Sequence, residues 1–138
     1  MNDQLAAALA AEEAAIYAYG VIGVRFGSEG ERAEARTAEQ THRQRRDYLV
    51  SALKEPPASP AGYELPFPVT DRAGALKLAI QVEDGVAQAW RPVLPVSANA
   101  GRTTALSAMI DSAVRATRWR RLAGVTPVTL PFPGKPQS

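Results

Sequence analysis

The chain has 138 residues, 46% of them hydrophobic and 22% charged, a balance typical of a single globular domain. Its 16 basic and 14 acidic side chains leave a net charge of only +2, which does not favour a nucleic-acid-binding tail. The absence of cysteine excludes thiolate metal sites, cysteine nucleophiles and disulfides. With no signal-peptide pattern and no apolar run near the ~20 residues of a membrane span, we expect a cytoplasmic protein that binds neither membranes nor nucleic acid.

One domain is expected over residues 1–138, with four helices and an extended tail at about 3–26, 31–54, 71–91, 103–122 and 125–138. The first helix is rich in alanine and carries Leu5 and Leu9 on one face, the periodicity of a packed helix. Asp3 and Asp71 are the predicted N-caps of the first and third helices, and Gly124 is predicted to end the fourth.

The segment over residues 55–70 carries five prolines and cannot be helical. At roughly 3 Å per residue it can span ~45 Å, more than the ~35 Å length of a neighbouring helix. We therefore expect a long proline-rich crossover that lets the second and third helices point the same way. Leu65–Pro68 recurs as Leu130–Pro133, which indicates either two similar halves or two unrelated proline turns.

Acidic side chains interrupt the apolar faces of the predicted helices. Glu12 lies near the centre of the apolar face of the first helix, and Glu83 lies within the apolar stripe of the third. Glu39 and His42 are spaced i, i+3, so they project from one side of the second helix. A carboxylate on an inward face must be paired, protonated or bound to a metal. These residues therefore predict a shared polar interior.

This arrangement resembles the ferritin-like di-iron bundles, which carry one Glu on each of two helices and Glu-x-x-His on each of the other two. By that resemblance, Glu12 and Glu83 are the single ligands, and Glu39 with His42 is one Glu-x-x-His motif. The whole chain, with Ala-Ile-Tyr-Ala-Tyr-Gly, Tyr-Glu-Leu-Pro-Phe-Pro and Phe-Pro-Gly, resembles an actinobacterial family of ferritin-like domains of unknown function, of the DUF4439 type. The resemblance implies an all-α, ferritin-like four-helix bundle.

The fourth helix departs from that pattern. Its predicted inner face carries Leu106, Ile110, Ala113 and Thr117. If the two halves of the chain are related, Glu12 corresponds to Glu83. The same sequence offset makes Glu39 correspond to Ile110 and His42 to Ala113, and these two residues of the fourth helix are apolar. Asp111 is predicted to point away. A bridging carboxylate and the second imidazole are then missing, so the di-iron site is degenerate and no ferroxidase activity is expected.

Two interpretations remain for Glu12, Glu39, His42 and Glu83. In the favoured one, they form a polar core with no certain cofactor, in a non-enzymatic structural or interaction protein that self-associates, with a dimer as the expected oligomer. In the alternative, they hold a single Fe, Mn or Zn ion in a metal-binding protein or oxidoreductase.

A third hypothesis, nucleic-acid binding, rests on two arginine clusters, over residues 43–46 and 115–121. The low net charge favours solvated helix faces paired with nearby acidic residues instead. Trp90 and Trp119 are assigned to the core.

Overall fold

The structure is a computed structural model that describes residues 1–60 and 62–136. Throughout these residues it is all-helical, without a strand, and the four-helix bundle is confirmed. The long helices are α1 (Asn2–Ile22), α2 (Glu29–Ala52), α3 (Arg72–Trp90) and α4 (Asn99–Ala123). Short 3₁₀ segments follow α1 over Gly23–Arg25 and α3 over Arg91–Val96. The second of these segments contains Pro92 and Pro95, which a regular α-helix would not accommodate.

Local capping chemistry accounts for three of the helix ends. The Ser28 hydroxyl accepts the hydrogen bond that begins α2, and Asp71 does the same for α3, as predicted. Gly124 ends α4 in the left-handed conformation with φ of 72°, also as predicted. Asp3 does not cap α1; it lies within the first turn, because the helix begins directly after Met1.

The helix directions follow from which residues meet. Glu12 and Tyr19 of α1 reach Trp90 and Glu83 of α3 in reverse order, so α1 and α3 are antiparallel. A short loop joins α1 to α2, and these helices are also antiparallel neighbours. Consequently α2 and α3 point in the same direction. α4 packs along α3, and its Trp119 reaches Phe26 in the loop between α1 and α2.

The segment between α2 and α3 contains no helix or strand in its described residues. Ser59 donates a hydrogen bond to Glu13, and the Tyr63 ring lies 5.2 Å from the Tyr17 ring. Val69 then packs into the core at the far end of α1. Successive residues of the segment therefore lie beside successive turns of α1. Residue 61 lies outside the described residues.

The core has two apolar clusters, one at each end of the bundle. Trp119 anchors one cluster with Phe26 and Leu76, and Trp90 anchors the other with Leu9 and Leu49. Both indoles are fully buried, which confirms their assignment to the core. The polar residues described below lie between these two clusters.

The predicted inner face of α4 is wrong at two positions. Leu106 and Ile110 are 44% and 50% exposed, whereas α4 turns Arg115 and Trp119 into the bundle. Many alanines give α4 apolar character on more than one face, so its pattern alone did not determine its rotation. The bulk of Trp119 did, because its burial removes the largest apolar surface from water.

α1 was not expected to resemble a membrane span, yet it does. Within the described residues, Asn2–Arg25 is long and apolar enough to cross a membrane by length and composition. Its face with Leu9, Glu12 and Ile22 is buried against the other helices. A core helix of a bundle passes the same test of length and composition.

The tail was predicted as extended over 125–138. Its described part instead makes a turn, in which the Lys135 amide donates to the Phe132 carbonyl at 3.0 Å. It folds back onto the end of α3, where the Arg91 guanidinium contacts the Pro133 carbonyl at 3.5 Å. The last two residues lie outside the described residues.

Candidate functional site

Three of the four predicted site residues meet in the middle of the bundle. His42 Nδ1 lies 2.6 Å from Glu12 Oε2, and His42 Nε2 lies 2.9 Å from Glu83 Oε2. All three side chains are at most 1% exposed. One imidazole on α2 therefore bridges a carboxylate on α1 and a carboxylate on α3.

Aromatic side chains donate a further hydrogen bond to each carboxylate. Trp90 Nε1 donates to Glu12 Oε1 at 2.8 Å. The Tyr19 hydroxyl donates to Glu83 Oε2, and it accepts a hydrogen bond from Trp119 Nε1 at 2.9 Å. Both indoles were predicted to lie in the core for their bulk, but their function as donors was not predicted. The signal was available, because a buried indole N–H needs an acceptor.

Arg115 is the residue of this site that the sequence analysis assigned wrongly. It was placed on a solvated face, but it is only 6% exposed, with Nη1 3.8 Å from Glu83 Oε1. The same nitrogen lies 2.8 Å from Asp111 Oδ2, so Asp111, expected to point away, belongs to the edge of the network. Arg45 extends it at 3.8 Å from Asp111. The i, i+4 spacing of Asp111, Arg115 and Trp119 could have indicated the position of Arg115, because it puts all three residues on one side of α4.

Of the other arginines, some lie on the solvated surface as predicted and some point into the bundle. Arg46 pairs with Asp47 at 3.0 Å on the surface, as expected. Arg120 was also expected on a solvated face, but it is 7% exposed and pairs with Asp84. α4 therefore turns two of its cations inward, which leaves fewer of them at the surface.

The charges of the network balance. Burial alone would lower the pKa of His42, but hydrogen bonds and charge from Glu12 and Glu83 outweigh that effect and raise the pKa to about 9. The imidazole is therefore an imidazolium at neutral pH. Burial likewise opposes the charge of Arg115, but the charge of Glu83 together with the hydrogen bond and charge of Asp111 outweighs burial and raises the pKa of the guanidinium. Two buried carboxylates thus face two cations, the condition under which buried ions are tolerated.

Tyr19 stays protonated within this network. Burial raises the pKa of the phenol well above its ordinary value, and the negative charge of Glu83 adds to the effect. The hydroxyl is therefore held as a hydrogen-bond donor to the carboxylate.

Glu39 does not join the other three residues. Its side chain is 31% exposed and lies 3.3 Å from Arg43 Nε, an i, i+4 pair on the surface of α2. Positions i and i+3 differ by about 60° around a helix, so His42 can point inward while Glu39 stays at the rim.

The residues as arranged do not fit a di-iron centre. Among the described residues, no group of three or more His, Asp or Glu side chains is placed to hold a metal ion. Both nitrogens of His42 already contact carboxylates, so the ring offers no free lone pair. Of the carboxylate oxygens of Glu12 and Glu83, only Glu83 Oε1 is buried without a hydrogen-bond partner in the described part of the chain.

The sequence matches the domain of unknown function DUF4439 over residues 4–137. No curated protein matches it. Among solved structures, the chain is similar to the crystal structure of a conserved hypothetical protein, rv2844, from Mycobacterium tuberculosis. The two share 38% sequence identity with a TM-score of 0.81, and the match covers 88% of this chain and 95% of that one. The chain therefore belongs to the DUF4439 family of domains of unknown function.

Proposed function

We propose that this protein is a ferritin-like bundle in which side-chain cations replace the metals of a di-iron site, and that it works as a structural or interaction protein without ferroxidase activity. The observation that carries the proposal is the bridge from Glu12 through both nitrogens of His42 to Glu83. In a di-iron bundle, inward carboxylates are neutralised by metal ions. Here His42 and Arg115 supply that positive charge.

The fourth helix supports this proposal in a way that differs from the sequence argument. Ser112 and Arg115 are spaced i, i+3 and are both buried, the spacing of a Glu-x-x-His motif. An arginine near the second imidazole position brings a permanent charge to Glu83 but cannot ligate a metal, because a guanidinium has no free lone pair.

A second candidate is the single-ion site of Glu12, Glu39, His42 and Glu83, in a metal-binding protein or oxidoreductase. It is favoured by one observation, the buried and unpartnered Glu83 Oε1. Fe, Mn and Zn suit a set of carboxylates and one imidazole. Binding would require His42 to give up its contact with one carboxylate and Glu39 to leave Arg43.

Metal content separates the two candidates. The purified protein is incubated anaerobically with Fe(II), Mn(II) or Zn(II), desalted, and measured by inductively coupled plasma mass spectrometry. We expect far less than one ion per chain. Retention of about one ion per chain, lost in Glu39→Ala and kept in the surface variant Glu34→Ala, would replace our proposal with the single-ion site.

Self-association is part of the proposal, with a dimer as the expected state. α4 presents Leu106, Ile110 and Val114 on its outer face, and these i, i+4, i+8 residues are 44–50% exposed. An apolar stripe of this kind on a helix surface suits a second helix, and a two-fold dimer would pair the stripe with itself.

Light scattering coupled to size-exclusion chromatography tests the dimer. Leu106→Lys places a charge in the stripe and should shift the mass to that of a monomer. Val24→Lys is the matched control, because Val24 is 75% exposed and lies outside the stripe. A monomeric wild-type chain at micromolar concentration would refute this part of the proposal.

A cytoplasmic location without nucleic-acid binding completes the proposal. α1 buries its apolar face and Glu12 in the bundle, as expected for a core helix. The burial of Arg115 and Arg120 removes two cations from the α4 surface. Salt-sensitive retention on DNA would contradict the exclusion of nucleic acid.

A further inference from the structure

A groove of about 240 Å³ lies between α1 and α3, under residues 63–66 of the segment that joins α2 to α3. Its floor is mostly apolar and is built largely from small residues, among them Ala11, Ala14 and Ala18 of α1 and Gly85 of α3. Because these residues are small, the two helices leave a space between them that the segment covers but does not fill. Neither Glu12, His42 nor Glu83 lines the groove, so it is separate from the buried polar site.

The Tyr63 hydroxyl is an unused polar group of this groove. Tyr63 lines the groove, and its hydroxyl is buried without a hydrogen-bond partner in the described part of the chain. The Tyr17 ring, 5.2 Å from the Tyr63 ring, lines the groove as well. Burial raises the pKa of Tyr63, and the negative charge of nearby Glu13 adds to the effect, so the phenol stays neutral. A ligand that hydrogen-bonds to this hydroxyl would satisfy a buried group that the protein leaves open.

The charged groups beside the two tyrosines are acidic. Glu64 lines the groove, and Glu13 accepts a hydrogen bond from the neutral Ser59 hydroxyl. Among the described residues, neither carboxylate forms an ion pair, and no lysine or arginine lines the groove. Lys77 of α3 lies instead over the Phe67 ring, 4.5 Å from its centroid. The groove therefore carries negative charge that no side-chain cation in contact with it neutralises.

From this shape and charge, we propose that the groove binds a small amphipathic cation, a primary amine whose apolar chain lies along α1 and α3 and whose ammonium group lies beside Tyr63 and Glu64. An ammonium group has three donors and no acceptor, which suits a phenol oxygen and a carboxylate. The face of a tyrosine ring also attracts a cation. Ligand pockets typically combine apolar walls with a few polar groups that fix orientation, as this groove does.

Isothermal titration calorimetry of the full chain with octylamine, octanol and octanoate at pH 7 tests the proposal. The three probes share one apolar chain, and their head groups are positive, neutral and negative. We expect saturable binding of octylamine, about tenfold weaker binding of octanol, the loss expected from one charge-assisted hydrogen bond, and still weaker binding of octanoate. Absence of saturable octylamine binding, or an octylamine affinity no higher than that of octanol or octanoate, would overturn the proposal.

Two glycine variants locate the binding site. Gly85 of α3 lines the groove, and a Cβ there would meet no neighbouring atom within 4 Å among the described atoms. Gly85→Phe should therefore fold, occupy part of the groove and weaken octylamine binding by more than about tenfold. Gly20→Phe is the matched control, because Gly20 is also a helical glycine with no neighbour within 4 Å but lines a different groove, between α1 and α2. Equal octylamine affinity in the two variants would refute the assigned site.

Removing the negative charge of Glu64 tests recognition of the ammonium group. Glu64→Gln changes an exposed side chain and should weaken octylamine binding by about fivefold while leaving octanol binding unchanged. Glu55→Gln is the control, because Glu55 is also exposed but does not line the groove, and its octylamine affinity should equal that of the wild type. The same loss for octylamine and octanol in Glu64→Gln would exclude recognition of the charge and overturn the proposal.

Tyr63→Phe tests the unpartnered hydroxyl directly. Because that hydroxyl makes no hydrogen bond within the described residues, its removal should leave the urea midpoint of unfolding unchanged. Octylamine binding should nevertheless weaken by about tenfold, since the ammonium group loses one acceptor. An unchanged octylamine affinity in this variant would show that the head group does not lie beside Tyr63, which would overturn the proposal.

Discussion

Tyr19 and Trp90 hold equivalent positions in the two halves of the bundle, α1 with α2 and α3 with α4. Each donates a hydrogen bond to the glutamate of the other half. Tyr19 lies seven residues after Glu12 and donates to Glu83, while Trp90 lies seven residues after Glu83 and donates to Glu12. This reciprocal exchange supports the interpretation of the repeated Leu-Pro-Phe-Pro as a mark of two similar halves. Each buried carboxylate gains its aromatic donor only when α1 and α3 pack together.

Replacing Tyr19 by phenylalanine tests the exchange. Tyr19→Phe removes one of the two hydrogen-bond donors to Glu83 Oε2 and leaves the buried Trp119 N–H without an acceptor, with little change in volume. The lost hydrogen bond to a charged group and the unsatisfied buried donor each cost about 1–3 kcal/mol, so we expect the free energy of unfolding to fall by about 2–4 kcal/mol in urea titrations. Tyr17→Phe is the control, since Tyr17 is 41% exposed and should lose under about 0.5 kcal/mol. Equal losses would contradict the assigned network.

The stability of the protein should depend on pH through His42, its only histidine. Folding raises the pKa of His42 from an ordinary 6.5 to about 9, so the folded state holds the proton more tightly. The resulting stability is fully present below pH 6.5 and is lost as the pH rises through 9, a change of order 3 kcal/mol. Urea unfolding at pH 6, 7.5 and 9 would measure this loss.

His42→Gln is the control for this pH dependence, because glutamine keeps a hydrogen-bonding side chain but has no proton to lose in this range. The variant should be less stable at pH 6 and nearly independent of pH between 6 and 9. A wild-type stability that rises over the same range would reverse the assigned direction of the pKa shift.

Arg115 should matter for stability far more than its exposed neighbour on α4. Arg115→Met removes the cation beside Glu83 and leaves Asp111 without its closest partner, with an expected loss of about 3 kcal/mol. Arg118→Met, at an exposed position, should change stability by under about 0.5 kcal/mol. Adding Glu83→Gln to Arg115→Met should recover part of the loss, because it removes the uncompensated charge. If the double variant is no more stable than Arg115→Met alone, Arg115 stabilises the protein through packing and not through its charge.

Gly134 and Gly124 provide a matched pair for testing the tail strap, which we define as residues 124–136. Both have left-handed φ values, +81° and +72°, so alanine is strained at either position. Only at Gly134 does a Cβ meet the described helices, and at Gly124 it finds no neighbour within 4 Å among the described atoms. Gly134→Ala should therefore release the strap, seen as faster amide exchange over residues 128–136, while Gly124→Ala should leave that exchange unchanged.

The all-helical fold and the inward position of three site residues were predictable from local patterns. Glu12 and Glu83 interrupt apolar stripes, and in the helical parts of the chain a residue's spacing determines which neighbours share its face. Asp71 and Gly124 were recognisable as helix ends for the same local reason. Glu39 was placed wrongly because i, i+3 spacing tolerates a rotation that takes one of the two side chains to the rim.

The sequence by itself determined that this chain forms four helices and that Glu12, His42 and Glu83 point into their shared interior, because helical periodicity is a local property. Only the tertiary structure decided that Arg115 enters that interior while Leu106 and Ile110 remain outside. The alanines of α4 leave its rotation nearly undetermined by its own sequence. Contacts of Trp119 with Tyr19 of α1, and of Arg115 with Glu83 of α3, selected one rotation over the others.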